Sequence, residues 1–216
     1  MNSHYWDKHN AYYKKNALKG SIENKGLFSY IIEFCFTNSY LTIADVGCAC
    51  GALYHIIKDD KKNYFGFDLS DTNIKTAQTI FTKGPEFTTL DITNEDLPGM
   101  YDIVFSSEML SHIPLKYHQI VIKRLVKASK KLCLFSLKYT NLSPIETYFI
   151  QDKLEALYIY PNFRSVLGMI KEALTDHKFI VYKSPKMNNK GFKKEGEYNK
   201  NSGNLTVYIE KYNNLT

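Results

Sequence analysis

The sequence predicts an α/β protein with a mostly parallel sheet covered by helices on both faces. Three observations carry that expectation. Apolar runs of strand length alternate with helix-length amphipathic stretches between residues 41 and 137. The first strand runs into a turn of small residues, Gly47-Cys48-Ala49-Cys50-Gly51, which lets a ligand approach the backbone closely. Aspartates then recur at the ends of successive strands, Asp45, Asp68 and Asp91, 23 residues apart each time.

Residues 5–19 are charged and aromatic and read as a short helix. Residues 22–36 read as an amphipathic helix, with Leu27, Ile31, Ile32 and Phe36 near a helical period. Residues 1–38 together form an expected N-terminal helical cap. The first strand is expected at 41–46 and a helix at 51–59. A second strand follows at 64–67, then a helix at 71–82 opened by Ser70 or Asp71 as cap. Strands three and four are expected at 87–90 and 102–106, a helix near 116–130 and a fifth strand at 132–137. Residues 141–163 interrupt the alternation and carry Tyr148, Phe149, Tyr158, Tyr160, Pro161 and Phe163. A helix near 165–175 and strands at 178–182 and 205–209 close the pattern, with a Lys-rich hairpin loop between those strands. No internal repeat or linker is visible, so residues 1–216 read as a single domain.

Composition narrows the function classes. Hydrophobic residues make up 44%, enough for an ordinary globular core. The 28 Lys and Arg exceed the 22 Asp and Glu, but the lysines are scattered except between 183 and 200. Dedicated nucleic-acid binders concentrate charge on one face, so nucleic acid is not the expected partner. Cys35, Cys48, Cys50 and Cys133 show no zinc or disulfide spacing. The polar start, Met1 to Trp6, lacks a signal-peptide core, and no apolar run approaches the roughly 20 residues that span a bilayer. A cytoplasmic protein without membrane partner is the expectation; oligomeric state is not legible.

The chemistry sits at the strand ends. A dinucleotide fingerprint needs glycines at 47, 49 and 52, but Ala49 and Ala52 stand at two of them. Asp45, two residues before the turn, would repel a pyrophosphate and suits a ligand carrying an ammonium group. Asp68 can accept from both ribose hydroxyls; the bland alternative, a helix N-cap, can be filled by Ser70 or Asp71. Asp91 can accept from an adenine amino group, with Ile92 against the ring, although aspartate after a strand is also common in turns. Ligands in open α/β sheets bind outside the carboxyl ends of strands. The stretch from Ser106 to His112 should therefore border the reactive end of the ligand.

These residues together resemble the class I (Rossmann-like) S-adenosylmethionine-dependent methyltransferases, in the broad group with small-molecule acceptors. The resemblance covers residues 41–137 well. Asp45-x-Gly47-Cys48-x-x-Gly51 matches the first motif, with Ala49 in place of its middle glycine. Gly66-x-Asp68-Leu69-Ser70 resembles the second-strand motif and Asp91-Ile92 the adenine-contact pair. Tyr101-Asp102-Ile103-Val104 and Leu110-x-His112-Ile113 resemble the fourth-strand region. The family implies a seven-stranded sheet in order 3-2-1-4-5-7-6 with the last strand antiparallel. It implies S-adenosylmethionine as cofactor and S-adenosylhomocysteine as product, bound by Asp45, Gly47, Cys48, Gly51, Asp68, Leu69, Asp91, Ile92 and Ser106. It also places acceptor specificity in the N-terminal segment and in insertions, here 1–20 and 141–163. Tyr12 or Tyr13 would then cover the methionine end of the cofactor.

The resemblance implies methyl transfer to an oxygen or nitrogen of a metabolite or sugar intermediate. His112 is the candidate general base, because histidine titrates near neutrality, and Glu108 the second candidate. A packed histidine bonded to backbone is the ordinary alternative for His112. The amino-methylating and cytosine-methylating DNA enzymes carry motifs after the fourth strand that Ser106-Ser107-Glu108-Met109 lacks. Glu108-x-x-Ser111-His112 misses the second acid of a metal-binding variant, so no metal is expected. Two rivals remain. One is an RNA or protein methyltransferase using Lys186, Lys190, Lys193 and Lys194 as a basic arm. The other is a non-catalytic S-adenosylmethionine-binding module.

Overall fold

A computed structural model describes residues 4–20, 41–57, 63–140, 147–151, 156–175, 179–184 and 202–210. The helix expected at 22–36 and the Lys-rich segment from 185 to 200 lie outside them. The N-terminal segment forms two helices, α1 (His4–Lys8) and α2 (Asn10–Lys19), separated at His9. The sheet begins with β1 (Thr42–Val46), β2 (Asn63–Asp68), β3 (Glu86–Thr89), β4 (Tyr101–Ser106) and β5 (Ser129–Thr140). Helices α3 (Ala52–Ile57), α4 (Asp71–Ile80) and α5 (Leu115–Ala128) alternate with them, and a 3-10 turn, Met109–His112, precedes α5.

These elements form for local reasons. The Ser70 hydroxyl caps α4 by accepting from the Asn73 amide at 3.1 Å. Helix α5 buries His118, Val121, Ile122, Leu125 and Val126, the i, i+3, i+4, i+7, i+8 stripe of a core-facing helix. In β1, Ala44 and Val46 face one core layer and Ile43 the other, as the two-residue period of a strand requires. Both layers are apolar, so the central strands read as nearly continuous hydrophobic runs.

Strands β1 to β5 pair in parallel, with β1 between β2 and β4. After β5 the chain makes a separate hairpin, β6 (Thr147–Gln151) with β7 (Ala156–Tyr160), within the aromatic insertion at 141–163. Helix α6 (Phe163–Ala173) follows, capped by the Asn162 side chain on the Arg164 amide at 2.9 Å. Strands β8 (Ile180–Ser184) and β9 (Ser202–Glu210) then join the sheet edge, β9 antiparallel to both β5 and β8. Hydrogen-bonded neighbours run β3-β2-β1-β4-β5-β9-β8. The carboxyl ends of β1, β2 and β4 thus lie side by side, and they carry the residues below. Among the described residues, no helix is long and apolar enough to cross a membrane.

Candidate functional site

The loop after β1 takes left-handed backbone at Gly47 (φ 83°), Ala49 (φ 49°) and Gly51 (φ 82°). The Gly47 and Cys48 amides donate to the Phe67 carbonyl at 2.7 and 3.1 Å, tying the loop to the end of β2. A left-handed alanine costs about 1–2 kcal/mol. The Ala49 amide offsets this by donating to Asp68 Oδ2 at 2.9 Å, a charge-assisted bond. Gly66 is required by close packing: a Cβ there would stand 2.5 Å from the Phe87 ring and 2.9 Å from Cys48 Sγ.

Asp68 lies at the centre of this arrangement. Its Oδ1 accepts from the Ser70 amide at 2.9 Å, and the Asn73 side chain also donates to it. Burial pushes its carboxyl up, while the Ser70, Ala49 and Asn73 hydrogen bonds restrain the rise. Because Ser70 caps α4, Asp68 does not serve as the cap. Leu69 beside it is half-buried.

Asp45 is buried on the sheet face shared with Tyr64 and Cys48, and the Tyr64 hydroxyl donates to Asp45 Oδ2. Burial raises its pKa to about 7, against the lowering effect of the Tyr64 bond; the Asp68 charge adds to the rise. An unfolded aspartate titrates near 3.9. The folded state therefore holds the extra proton between about pH 4 and pH 7. Unfolding free energy should fall as pH rises through that window, by at most about 1.4 kcal/mol per unit, and level off above it. Urea midpoints between pH 5 and pH 8 should show this slope, and Asp45→Asn should flatten it. An unchanged slope in the variant would assign the effect to another group.

Asp91 is held within its own turn. Its Oδ1 accepts from the Thr93 amide at 2.9 Å and the Thr93 hydroxyl at 2.6 Å, and its Oδ2 from Asn94 at 2.9 Å. Burial raises its pKa, but the Thr93 and Asn94 bonds outweigh that and leave it lowered. The carboxylate caps its own turn. Ile92 is buried in the core with Leu90, Leu97 and Tyr101. Tyr12 is half-buried on α2, edge-on to Tyr13 with centroids 5.4 Å apart; α2 packs on α3 and α4.

Ser106 ends β4 fully buried, and its Oγ has no hydrogen-bond partner among the described residues, an arrangement that costs about 1–3 kcal/mol unless something bonds it. Glu108 is left-handed (φ 55°), and its amide donates to Ser136 Oγ at 2.9 Å. Its carboxylate lies 3.5 Å from Lys138 Nζ, a lysine almost entirely buried on β5. The Lys138 amide donates to Ser111 Oγ at 2.8 Å. The segment 108–112 is thereby fastened to β5, and Glu108 is committed to an ion pair. His112 closes that segment, half-buried, with the Trp6 ring edge-on at 4.8 Å between centroids. Strand β7 packs against the same 3-10 turn.

Burial pushes the Cys50 thiol up to about 12, with help from the Asp68 charge, and pushes the Cys48 thiol well above its usual range. Both are protonated at neutral pH, which leaves no cysteine nucleophile in the loop.

Sequence reasoning missed Trp6, Tyr64, Asn73 and Lys138. Only Lys138 left a signal: it is a charge inside the apolar run 132–139, a placement that demands a buried partner.

The fold and the strand-end loop define an α/β protein with an open turn outside the carboxyl ends of β1, β2 and β4, the place where ligands of open α/β sheets bind. Residues 44–133 match the methyltransferase domain family. The ubiquinone biosynthesis O-methyltransferase of Nitrosomonas europaea is 31% identical over 116 residues, which cover 51% of this chain and 47% of that protein. The chain thus spans about half the length of the curated relative it matches. The magnesium protoporphyrin IX methyltransferase of Synechocystis, solved with S-adenosylmethionine, superposes with TM-score 0.57 at 17% identity over 85% of this chain and 78% of that one. Coclaurine N-methyltransferase, bound to N-methylheliamine and S-adenosylhomocysteine, gives TM-score 0.62 at 11% identity over 85% and 70%. Residues 44–133 thus resemble a methyltransferase domain, and the fold as a whole is shared with these solved methyltransferases.

Proposed function

We propose that this protein binds S-adenosylmethionine and transfers its methyl group to an oxygen or nitrogen of a small molecule in the cytoplasm. The observation that carries the reading is the Asp68 carboxylate, locked by the Ala49 and Ser70 amides at the mouth of the left-handed loop. The residues present fit the cofactor. Asp68 offers acceptors to ribose hydroxyls. Burial raises the Asp45 pKa to about 7, so a cationic ligand beside it would favour the carboxylate form. The orphaned Ser106 hydroxyl supplies a buried donor at the reactive end. Gly47, Cys48, Gly51 and Leu69 line the approach, and Tyr12 flanks it. Asp91 and Ile92 serve the adenine end by shaping its turn.

The bound cofactor supplies an already activated methyl group, so the protein's task is alignment and exclusion of water. His112 takes the acceptor's proton as the acceptor attacks. Glu108, neutralised by Lys138, shapes the wall of the acceptor site. The whole chain acts as one domain, with 1–38 as cap and 141–163 over the acceptor end. The relatives named above carry O- and N-methyltransferase names with small-molecule substrates, which favours such acceptors over RNA or protein. The lysines of the polynucleotide alternative, Lys186 to Lys194, lie outside the described residues.

S-adenosylmethionine and S-adenosylhomocysteine should raise the melting temperature, by about 2.7 kcal/mol of added stability at a ligand concentration 100 times Kd, whereas NAD should not. Equal stabilisation by NAD would refute the proposal. Asp68→Ala should remove charge-assisted ribose bonds worth about 1.5–3 kcal/mol each. Calorimetry should then show at least about a tenfold loss of S-adenosylhomocysteine affinity with the fold intact. An unchanged Kd would reduce Asp68 to a brace for the loop.

A further inference from the structure

The turn after β3 is fastened to a helix far from it in sequence. Within the turn, the Asp91 carbonyl accepts from the Asn94 and Glu95 amides, each at 2.9 Å. The Asp91 carboxylate accepts from Thr93 and Asn94. The next carbonyls along the chain, those of Ile92 and Asn94, are received by Arg124 on α5. Its Nη1 donates to the Ile92 carbonyl at 2.8 Å, its Nη2 to the Asn94 carbonyl at 3.1 Å, and its Nε to Asp96 Oδ1 at 3.0 Å. All three guanidinium nitrogens thus go to residues 92–96. The Arg124 side chain is 16% exposed, so water competes little with these charge-assisted bonds.

The helix end of this clamp is rigid. Val121 and Leu125, next to Arg124 on α5, share one core cluster with Leu90, Ile92 and Leu97, which bracket the turn. A planar fork on a packed helix can fix two carbonyls at once, whereas a flexible ammonium bonds as a point charge. The Ile92 and Asn94 carbonyls set the path of the backbone just after Asp91. The direction of the Asp91 carboxylate depends on that path. Lys127, one turn further along α5, meets Asp96 Oδ2 at 2.6 Å and is 73% exposed. It shares the same aspartate from the solvent side.

We infer that Arg124 is a positioning residue for base recognition, holding the 91–96 turn in the shape that reads the adenine ring of the cofactor. The inference rests on the proposed reading of Asp91 and Ile92 as the adenine end. Arg124 acts through the turn rather than on the ligand. Its consequence is that Arg124 governs discrimination between purine bases. Binding of the ribose and the amino-acid tail, whose proposed contacts lie at the ends of β1 and β2, depends on it little.

The experiment titrates the full chain by calorimetry with S-adenosylhomocysteine and with S-inosylhomocysteine, in which an oxygen replaces the adenine amino group. The wild-type protein should prefer S-adenosylhomocysteine by at least about tenfold, as a site built to hydrogen-bond one group rejects its replacement. Arg124→Ala should weaken S-adenosylhomocysteine strongly and S-inosylhomocysteine little, so that the preference falls at least about fivefold. Arg124→Lys should give a preference between the two. Lys127→Ala, which removes an exposed ion pair to the same aspartate, should leave both Kd values within about twofold. A merely structural role would weaken both ligands by the same factor and leave the preference intact. That result overturns the inference, as does a wild-type protein that binds both ligands equally or any fall in preference smaller than stated. Should Arg124→Ala not fold, Arg124→Lys carries the test, and a preference equal to the wild-type value overturns the inference. If calorimetry detects no S-adenosylhomocysteine binding to the wild-type protein, the cofactor reading fails first and the role of Arg124 with it.

Discussion

Lys138→Met should lower the unfolding free energy by about 3–5 kcal/mol, because it leaves the Glu108 carboxylate without its buried partner. The side chains of Lys138 and Glu108 are 6% and 16% exposed, so solvent screens the pair little. Glu108 is also held in left-handed backbone, a conformation that persists only where surrounding contacts enforce it. Those contacts are the ion pair and the bond from its amide to Ser136. The double variant Glu108→Gln with Lys138→Met removes both charges and should recover most of the lost stability. Urea unfolding of the two singles and the double forms a double-mutant cycle. A loss under about 1 kcal/mol in Lys138→Met, or strict additivity in the double, would show that the pair is solvated and leaves the segment 108–112 unfixed.

His112→Ala should lower turnover by about 10²–10⁴-fold with the true acceptor, while S-adenosylhomocysteine affinity changes less than about threefold. The asymmetry follows from position. His112 lies beyond β4, whereas Asp68 and the Gly47 loop, the proposed nucleoside contacts, lie at the ends of β1 and β2. Removing the imidazole takes away a proton acceptor without touching those bonds. Its loss also strips the edge contact from Trp6, so emission of the variant should shift before any ligand is added. Cofactor titration of the variant is the control. Wild-type turnover would make His112 a packing residue for Trp6 and leave catalysis to alignment alone.

The pattern of strand ends was legible in the sequence because its causes are local. Alternating apolar runs set the strands and helices. Small residues at 47 to 51 announced a tight loop, although the left-handed alanine at 49 could not be foreseen: it depends on the Asp68 carboxylate that receives its amide. Ser70 and Asp71 were equal candidates as cap until the hydroxyl was seen on the Asn73 amide. Asp68 could be separated from a capping aspartate only then. The position of Asp91 just past the third strand is legible in the sequence, but its engagement with Thr93 and Asn94 is visible only in three dimensions. The hairpin β6–β7 was hidden because its strands are consecutive apolar and aromatic runs, Tyr148-Phe149-Ile150 and Leu157-Tyr158-Ile159-Tyr160, with no clear two-residue alternation.

By itself, the sequence determined the α/β class, the alternation that builds β1 to β5, and the placement of Asp45, Asp68 and Ser106 near strand ends. Each follows from periodicity or turn chemistry within a few residues of chain. Only the tertiary structure decided which groups those residues meet. Tyr64 reaches Asp45 from a neighbouring strand, Lys138 reaches Glu108 across 30 residues, and Trp6 reaches His112 across 106. Such contacts depend on strand register and on how a helix crosses the sheet, neither of which leaves a trace in local pattern. Their chemistry is therefore set by packing: burial makes Asp45 hold a proton and commits Glu108 to a lysine, and a short helix brings an aromatic ring onto the candidate base.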